Sequence, residues 1–159
     1  MQFAAITRLR ERIAIVVCAG AAGLSLLAGL AQPATAQGYG VMVVRADRGG
    51  LLGQRRAEIR QLQASGQRVE LRGTCYSACT MYLGLPNVCI DPAADFGFHG
   101  PSAHGAPLPP AQFEHWSQVM AAGYRGGLRD WYMQTARYTI SGYFRLSGAE
   151  LIRMGYPRC

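Results

Sequence analysis

The sequence predicts an α/β domain built on parallel strands, and three observations carry that prediction. Short apolar, β-branched runs alternate with helical stretches over residues 39–90. Glycine turns, at Gly49-Gly50 and at Gly73, stand where one element hands over to the next. A strand, helix, strand order closes by a right-handed crossover, which makes the two strands parallel and gathers the loops at their C-terminal ends along one edge.

Taken in order, Tyr39-Gly-Val-Met-Val-Val44 reads as a buried strand that stops at Ala46-Asp-Arg-Gly-Gly50. Residues 51–64 set Leu52, Ile59 and Leu62 among arginine, glutamate and glutamine, the pattern of an amphipathic helix, which Ser65-Gly66 ends. Val69-Glu-Leu71 is a second strand, Gly73 a bend, and residues 77–85 a small-residue helix closed by Pro86. Val88-Cys-Ile90 is a third strand, and Phe96-Gly-Phe98 alternates large and small residues as a strand packed closely on a neighbour does.

Residues 100–110, rich in proline, glycine and alanine, read as a loop. From Ala111 the pattern turns helical, with Phe113, Trp116, Val119 and Met120 on one face. Beyond residues 123–127 a second helical piece carries Leu128, Trp131, Tyr132 and Thr135. Ser147-Gly-Ala-Glu150 is a capping-box pattern that opens a last short helix over residues 150–154. No internal repeat or low-complexity tract is visible.

Residues 1–36 read as a targeting segment. Arg8, Arg10 and Arg12 precede an apolar run from Ile13 to Leu30, and Ala34-Thr-Ala36 supplies a small-residue cleavage site, with cleavage expected after Ala36. The alternative is an uncleaved membrane anchor, because the run approaches the roughly 20 residues that span a bilayer. Residues 37–159 then form one small domain, periplasmic or secreted, with membrane contact only if the leader stays. Every basic residue is arginine, and loss of the leader lowers the formal charge from +7 to +5. The arginines are scattered over helical stretches such as Arg55-Arg56-Ala-Glu58-Ile-Arg60, which reads as a solvated face and not as a nucleic-acid footprint.

Four cysteines follow the leader, Cys75, Cys79, Cys89 and Cys159, and an exported chain with an even count invites two disulfides. Connectivity is not legible. If Cys75 and Cys79 lie one helical turn apart, their Cβ atoms stand about 5 to 6 Å apart, beyond the reach of a good disulfide, and each is expected to pair with Cys89 or Cys159. The spacing lacks the paired knuckles of structural zinc sites, so no metal and no cofactor is expected.

The richest signal lies in Gly73-Thr-Cys75-Tyr-Ser77-Ala-Cys79-Thr80, with Phe96-Gly-Phe-His99-Gly-Pro101 downstream. A serine on a bend that runs into a helix sits where free amides favour developing negative charge. Ser77 is therefore the candidate nucleophile and His99 its base. The plainer reading of Ser77 is a helix cap, worth about 1 kcal/mol, and of His99 a strand histidine with a satisfied hydrogen bond. His104 and His115 read as solvent-facing, and Trp116 and Trp131 as packing residues.

The order of these features resembles the proteolytic subunit of Clp protease and its relatives in the crotonase-like superfamily. Strand, Gly-Gly turn, helix, strand, Gly-x-x-x-Ser turn, helix, strand, aromatic-His-x-Pro, helix and Leu146-Ser-x-x-Glu150-x-x-x-x-Gly155 follow in that sequence from about Val41 to Gly155. The resemblance implies a ClpP/crotonase-like fold of stacked ββα units, truncated here, with a long helix after the histidine strand. It implies Ser77 as nucleophile, His99 as base, and an oxyanion hole from Gly49 and Gly50 with the Ala78 amide. It also implies a peptide or protein substrate and assembly with further copies of the chain. The Cys-x-Ser-x-Cys variant resembles a group of exported bacterial proteins of that fold.

The chain departs from the family at one functional position. The family's third catalytic residue is an aspartate just before the Leu-Ser of the last helix, and Tyr143 stands in the matching place. The Tyr143 hydroxyl, a backbone carbonyl or Asp130 is left to orient the imidazole. The segment that docks an ATPase has no counterpart, so no ATPase partner is expected. The function expected is that of an exported serine hydrolase, a peptidase. The alternatives are a non-catalytic binding or assembly module and a thiol redox role, against which the absence of C-x-x-C argues.

Overall fold

The computed structural model describes residues 40–159. The expected leader, its cleavage after Ala36 and Tyr39 lie outside the described residues. Within them the elements are β1 (Met42–Asp47), α1 (Leu52–Ser65), β2 (Val69–Tyr76), a 3-10 segment (Ser77–Gly84), β3 (Val88–Ile90) and β4 (Asp95–Phe98). There follow β5 (Ser102–Ala103), β6 (Ala106–Pro107), α2 (Pro110–Ala121), α3 (Gly126–Gln134), a 3-10 turn (Ala136–Tyr138), β7 (Phe144–Ser147) and α4 (Gly148–Arg153).

The main sheet runs β1, β2, β4, β7. β1 and β4 lie parallel to β2, which also takes β3 in parallel beside its first residues, while β7 closes the far side antiparallel to β4. This is an α/β architecture with a mostly parallel sheet, the class the alternating pattern predicts. The core is drawn from both layers: Leu71, Ile90, Phe96 and Phe98 from the strands, Leu83 from the 3-10 segment, Leu128, Tyr132 and Leu151 from the helices. Each such large side chain contributes about 1.5 to 3 kcal/mol on burial.

Several local expectations are corrected. β2 runs straight through Gly73, because that glycine serves close approach and not a bend: a Cβ there would overlap the Arg45 carbonyl oxygen of β1. β1 continues to Asp47 and is largely exposed, with only Val44 buried, since it is an edge strand paired on one side. Residues 77–84 wind as a 3-10 segment instead of an α-helix. The loop over residues 100–110 contains the β5–β6 hairpin, turned by His104 and Gly105, both at positive φ. Strand β7 carries no signal in the sequence, because Phe-Arg-Leu-Ser is too short to show a period.

The helical stretch after β4 comes in two pieces. At the break Gly123 packs backbone to backbone on Gly84, and a Cβ on Gly84 would lie 2.6 Å from the Gly123 Cα. The capping box at Ser147 and Glu150 is formed, and it starts α4 at Gly148, two residues earlier than the pattern suggested. The C-terminus is fastened to β3: Ile90 donates to Pro157, Cys159 donates back to Ile90, and a Cys89–Cys159 disulfide seals the pair. Among the described residues no helix is long and apolar enough to cross a membrane.

Candidate active site

Three strand ends converge on one point. Asp47 pairs with Cys75 across β1 and β2, and Tyr76 pairs with Gly97 across β2 and β4. The residues just past those ends are therefore neighbours: Gly49 and Gly50 after β1, Ser77 after β2, His99 after β4. The C-terminal edge of a parallel sheet is where such folds gather functional loops.

Ser77 and His99 meet there. Their Oγ and Nε2 atoms are 2.6 Å apart. Ser77 has φ 55, a left-handed conformation that a non-glycine residue adopts only when its surroundings impose it. Three restraints impose it here. Thr80 Oγ1 donates to the Ser77 carbonyl at 2.7 Å and is itself bonded to the buried Tyr124 hydroxyl. Gly49 presses from the side, so that an added Cβ would sit 2.6 Å from the Ser77 Cβ.

The third restraint corrects an expectation. Cys75 and Cys79 are bonded to each other, with Cα atoms 5.2 Å apart, and Cys89 is bonded to Cys159. The expectation that Cys75 and Cys79 are too far apart assumed one continuous helical turn. Cys75 instead ends on a strand and Cys79 lies in the 3-10 segment, and the positive φ of Ser77 folds the chain back between them. Two disulfides among the described residues fit an oxidising compartment outside the cytoplasm.

The Gly49-Gly50 turn is built by a carboxylate. Asp47 Oδ1 accepts the Gly49 N–H at 2.8 Å, and its other oxygen holds Arg55 of α1 at 2.5 Å. The Gly49 amide is thus committed to Asp47. Gly50 lines the cleft beside Ser77, and Ala78 lies in the first turn of the 3-10 segment, where amides have no partner within the helix. Both residues adjoin Ser77, Gly50 across the cleft and Ala78 next in the chain.

His99 stands alone on its other side. Nδ1 is buried without a hydrogen-bond partner. Burial holds the imidazole below the ordinary histidine range, opposed in part by the Gly100 backbone, which lies near the ring without reaching hydrogen-bond geometry at Nδ1. The Tyr143 hydroxyl does not orient the ring. The Tyr143 ring instead packs in a T-shaped arrangement with the imidazole, centroids 5.1 Å apart, backed by Tyr76 at 4.8 Å. Asp130 is exposed on α3 and forms no bond to His99. If Tyr143 acts only by packing, Tyr143→Phe is expected to leave any turnover within about twofold, while Tyr143→Ala lowers it. Steady-state rates of the two variants check this.

The cleft in front of the pair is small, about 140 Å³, and is bounded by Gly50, Leu52, Pro101, Ser102, Met120 and the β5–β6 turn. His104, which the sequence suggests faces solvent, is exposed and also lines this cleft. Nothing in the spacing of a Gly/Pro-rich loop could have placed it there. His115 lies on α2, away from Ser77, and no cluster of metal-binding side chains occurs among the described residues. No protein-family model matches the chain, and no curated protein matches it.

Proposed function

We propose that the protein is an exported serine hydrolase of the Clp protease and crotonase-like type, a peptidase of the periplasm or of the secreted fraction. One observation carries the reading: the 2.6 Å contact between the Ser77 hydroxyl and the His99 imidazole at the ends of adjacent parallel strands. It is supported by the left-handed Ser77 backbone, which lifts the hydroxyl clear of the chain as a nucleophile elbow requires.

In the reaction Ser77 Oγ attacks a substrate carbonyl carbon while its proton passes to His99 Nε2. The carbonyl oxygen, now negative, is met by the Gly50 and Ala78 amides. His99 then gives the proton to the leaving amine as the C–N bond breaks. Water repeats the cycle on the acyl-serine, releasing the acid and restoring both side chains.

For Nε2 to accept a proton the neutral ring must carry its own on Nδ1, where no side-chain acceptor reaches it and the Gly100 backbone lies near without forming a hydrogen bond. This costs turnover, since loss of the orienting acid in a triad lowers kcat by about 10⁴. It also supports the alternative of a binding module that has kept the fold without the activity. A panel of fluorogenic peptides and activated esters separates the two. Hydrolysis that falls about a hundredfold in Ser77→Ala bears out the hydrolase; hydrolysis unchanged in Ser77→Ala, or none by the unmodified protein, overturns it.

The pH profile carries a sign. The base works only when neutral, and burial lowers its pKa, so kcat/KM is expected to rise through a midpoint below 6.5 and to be flat through neutrality. A midpoint above 6.5 contradicts the buried, unpartnered imidazole.

A further inference from the structure

The cleft at Ser77 is too small to hold a substrate by itself. Ligand sites commonly enclose about 300 to 1,000 Å³, against about 140 Å³ here. Beside it lies a groove of about 490 Å³ between α1 and α2, floored by Ile59, Met81 and Val119. Met120 lines both spaces, so the two share a wall. Helix α1 also joins them, with Leu52 at the cleft and Arg56 and Arg60 at the groove.

The groove has one sign of charge. Arg56 and Arg60 line it and no carboxylate does. Among the described residues Arg56 and Arg60 form no ion pair, whereas the adjacent Arg55 is bound to both Asp47 and Glu58. Both are exposed. Like charges four apart on a helix destabilise it, and an anion lying across both offsets that cost.

From this we infer that the groove recognises carboxylates on the peptide that Ser77 attacks. The inference rests on the hydrolase reading for the word substrate, but the groove and its charge do not depend on catalysis. Spacing sets the register. At about 1.5 Å per residue along α1, Arg56 and Arg60 lie about 6 and 12 Å beyond Leu52. An extended peptide advances about 3.3 Å per residue. The favoured substrate therefore carries acidic side chains about two and four residues from the reacting carbonyl, with apolar side chains on the floor between them.

The test measures binding to the Ser77→Ala protein, so that no turnover is needed. A fluorescent peptide with Glu at those two positions, its Gln isostere and a fluorescent oligothymidylate are titrated at low salt by anisotropy. Exposed ion pairs reach about 1 kcal/mol each, so the Glu peptide is expected to bind about tenfold tighter than the Gln peptide. That preference should disappear in Arg56→Gln/Arg60→Gln and reverse in Arg56→Glu/Arg60→Glu. Equal binding of the two peptides, a preference that survives both double variants, or tighter binding of the oligonucleotide overturns the inference. A Glu preference in a protein that hydrolyses nothing overturns the hydrolase reading and leaves the groove; hydrolysis without the preference does the reverse.

Discussion

Ser77→Ala is expected to lower kcat by about 10²-fold, and His99→Ala by nearly as much, with the double variant no worse than either. The figure follows from the missing acid. In a complete triad, removal of the serine or histidine costs about 10⁶ in kcat, and removal of the acid alone about 10⁴. A pair that already lacks the acid at Nδ1 has only the remaining 10² or so to lose. Rates measured on one substrate for the three variants check the size and the non-additivity. A loss of 10⁵ or more would mean that a group still unidentified completes the triad.

The two disulfides are expected to have separable effects. Cys89–Cys159 closes a loop of 70 residues, and Cys75–Cys79 one of 4. Chain entropy makes the first worth about 4 kcal/mol and the second about 2 kcal/mol. Cys89→Ser/Cys159→Ser should therefore lower Tm by about 15 °C for a domain of this size while leaving kcat nearly unchanged at a temperature where the protein stays folded. Cys75→Ser/Cys79→Ser should do the opposite: a smaller fall in Tm and a loss of kcat, because the ring they close contains Ser77 in its left-handed conformation. Calorimetry and steady-state rates on both double variants decide the matter. Equal losses of kcat in the two would show that Cys75–Cys79 supports only the fold.

The layout of the domain was legible where side-chain pattern alone sets the outcome. The helix over Leu52–Ser65 follows from apolar spacing, β3 matches the apolar run at Val88–Ile90, and the Ser147–Glu150 capping box forms as its spacing demands. What escaped depends on contacts between distant segments. Gly73 has the look of a bend, and only the approach of Arg45 from β1 shows why it is a glycine within a strand. Pairing of Cys75 with Cys79 requires a chain reversal at Ser77 that no propensity scale assigns to serine. Strand β7 exists because β4 offers it an edge.

The same division holds at the site. Ser77 and His99 are visible as residue types in a suggestive order, and the structure places the Ser77 Oγ and His99 Nε2 atoms 2.6 Å apart. The commitment of the Gly49 amide to Asp47, the empty side of the imidazole and the reach of His104 into the cleft are facts of geometry with no trace in local sequence. The Arg56 and Arg60 pair was visible as a basic stretch, and its lack of counter-charges emerges only with the groove around it.

The most direct measurement of the Ser77–His99 pair is covalent labelling with a fluorophosphonate, followed by mass spectrometry of the digested protein. A single adduct on Ser77, absent from Ser77→Ala and formed far more slowly in His99→Ala, is the predicted result. An adduct on any other residue, or an equal rate of labelling in His99→Ala, would contradict it.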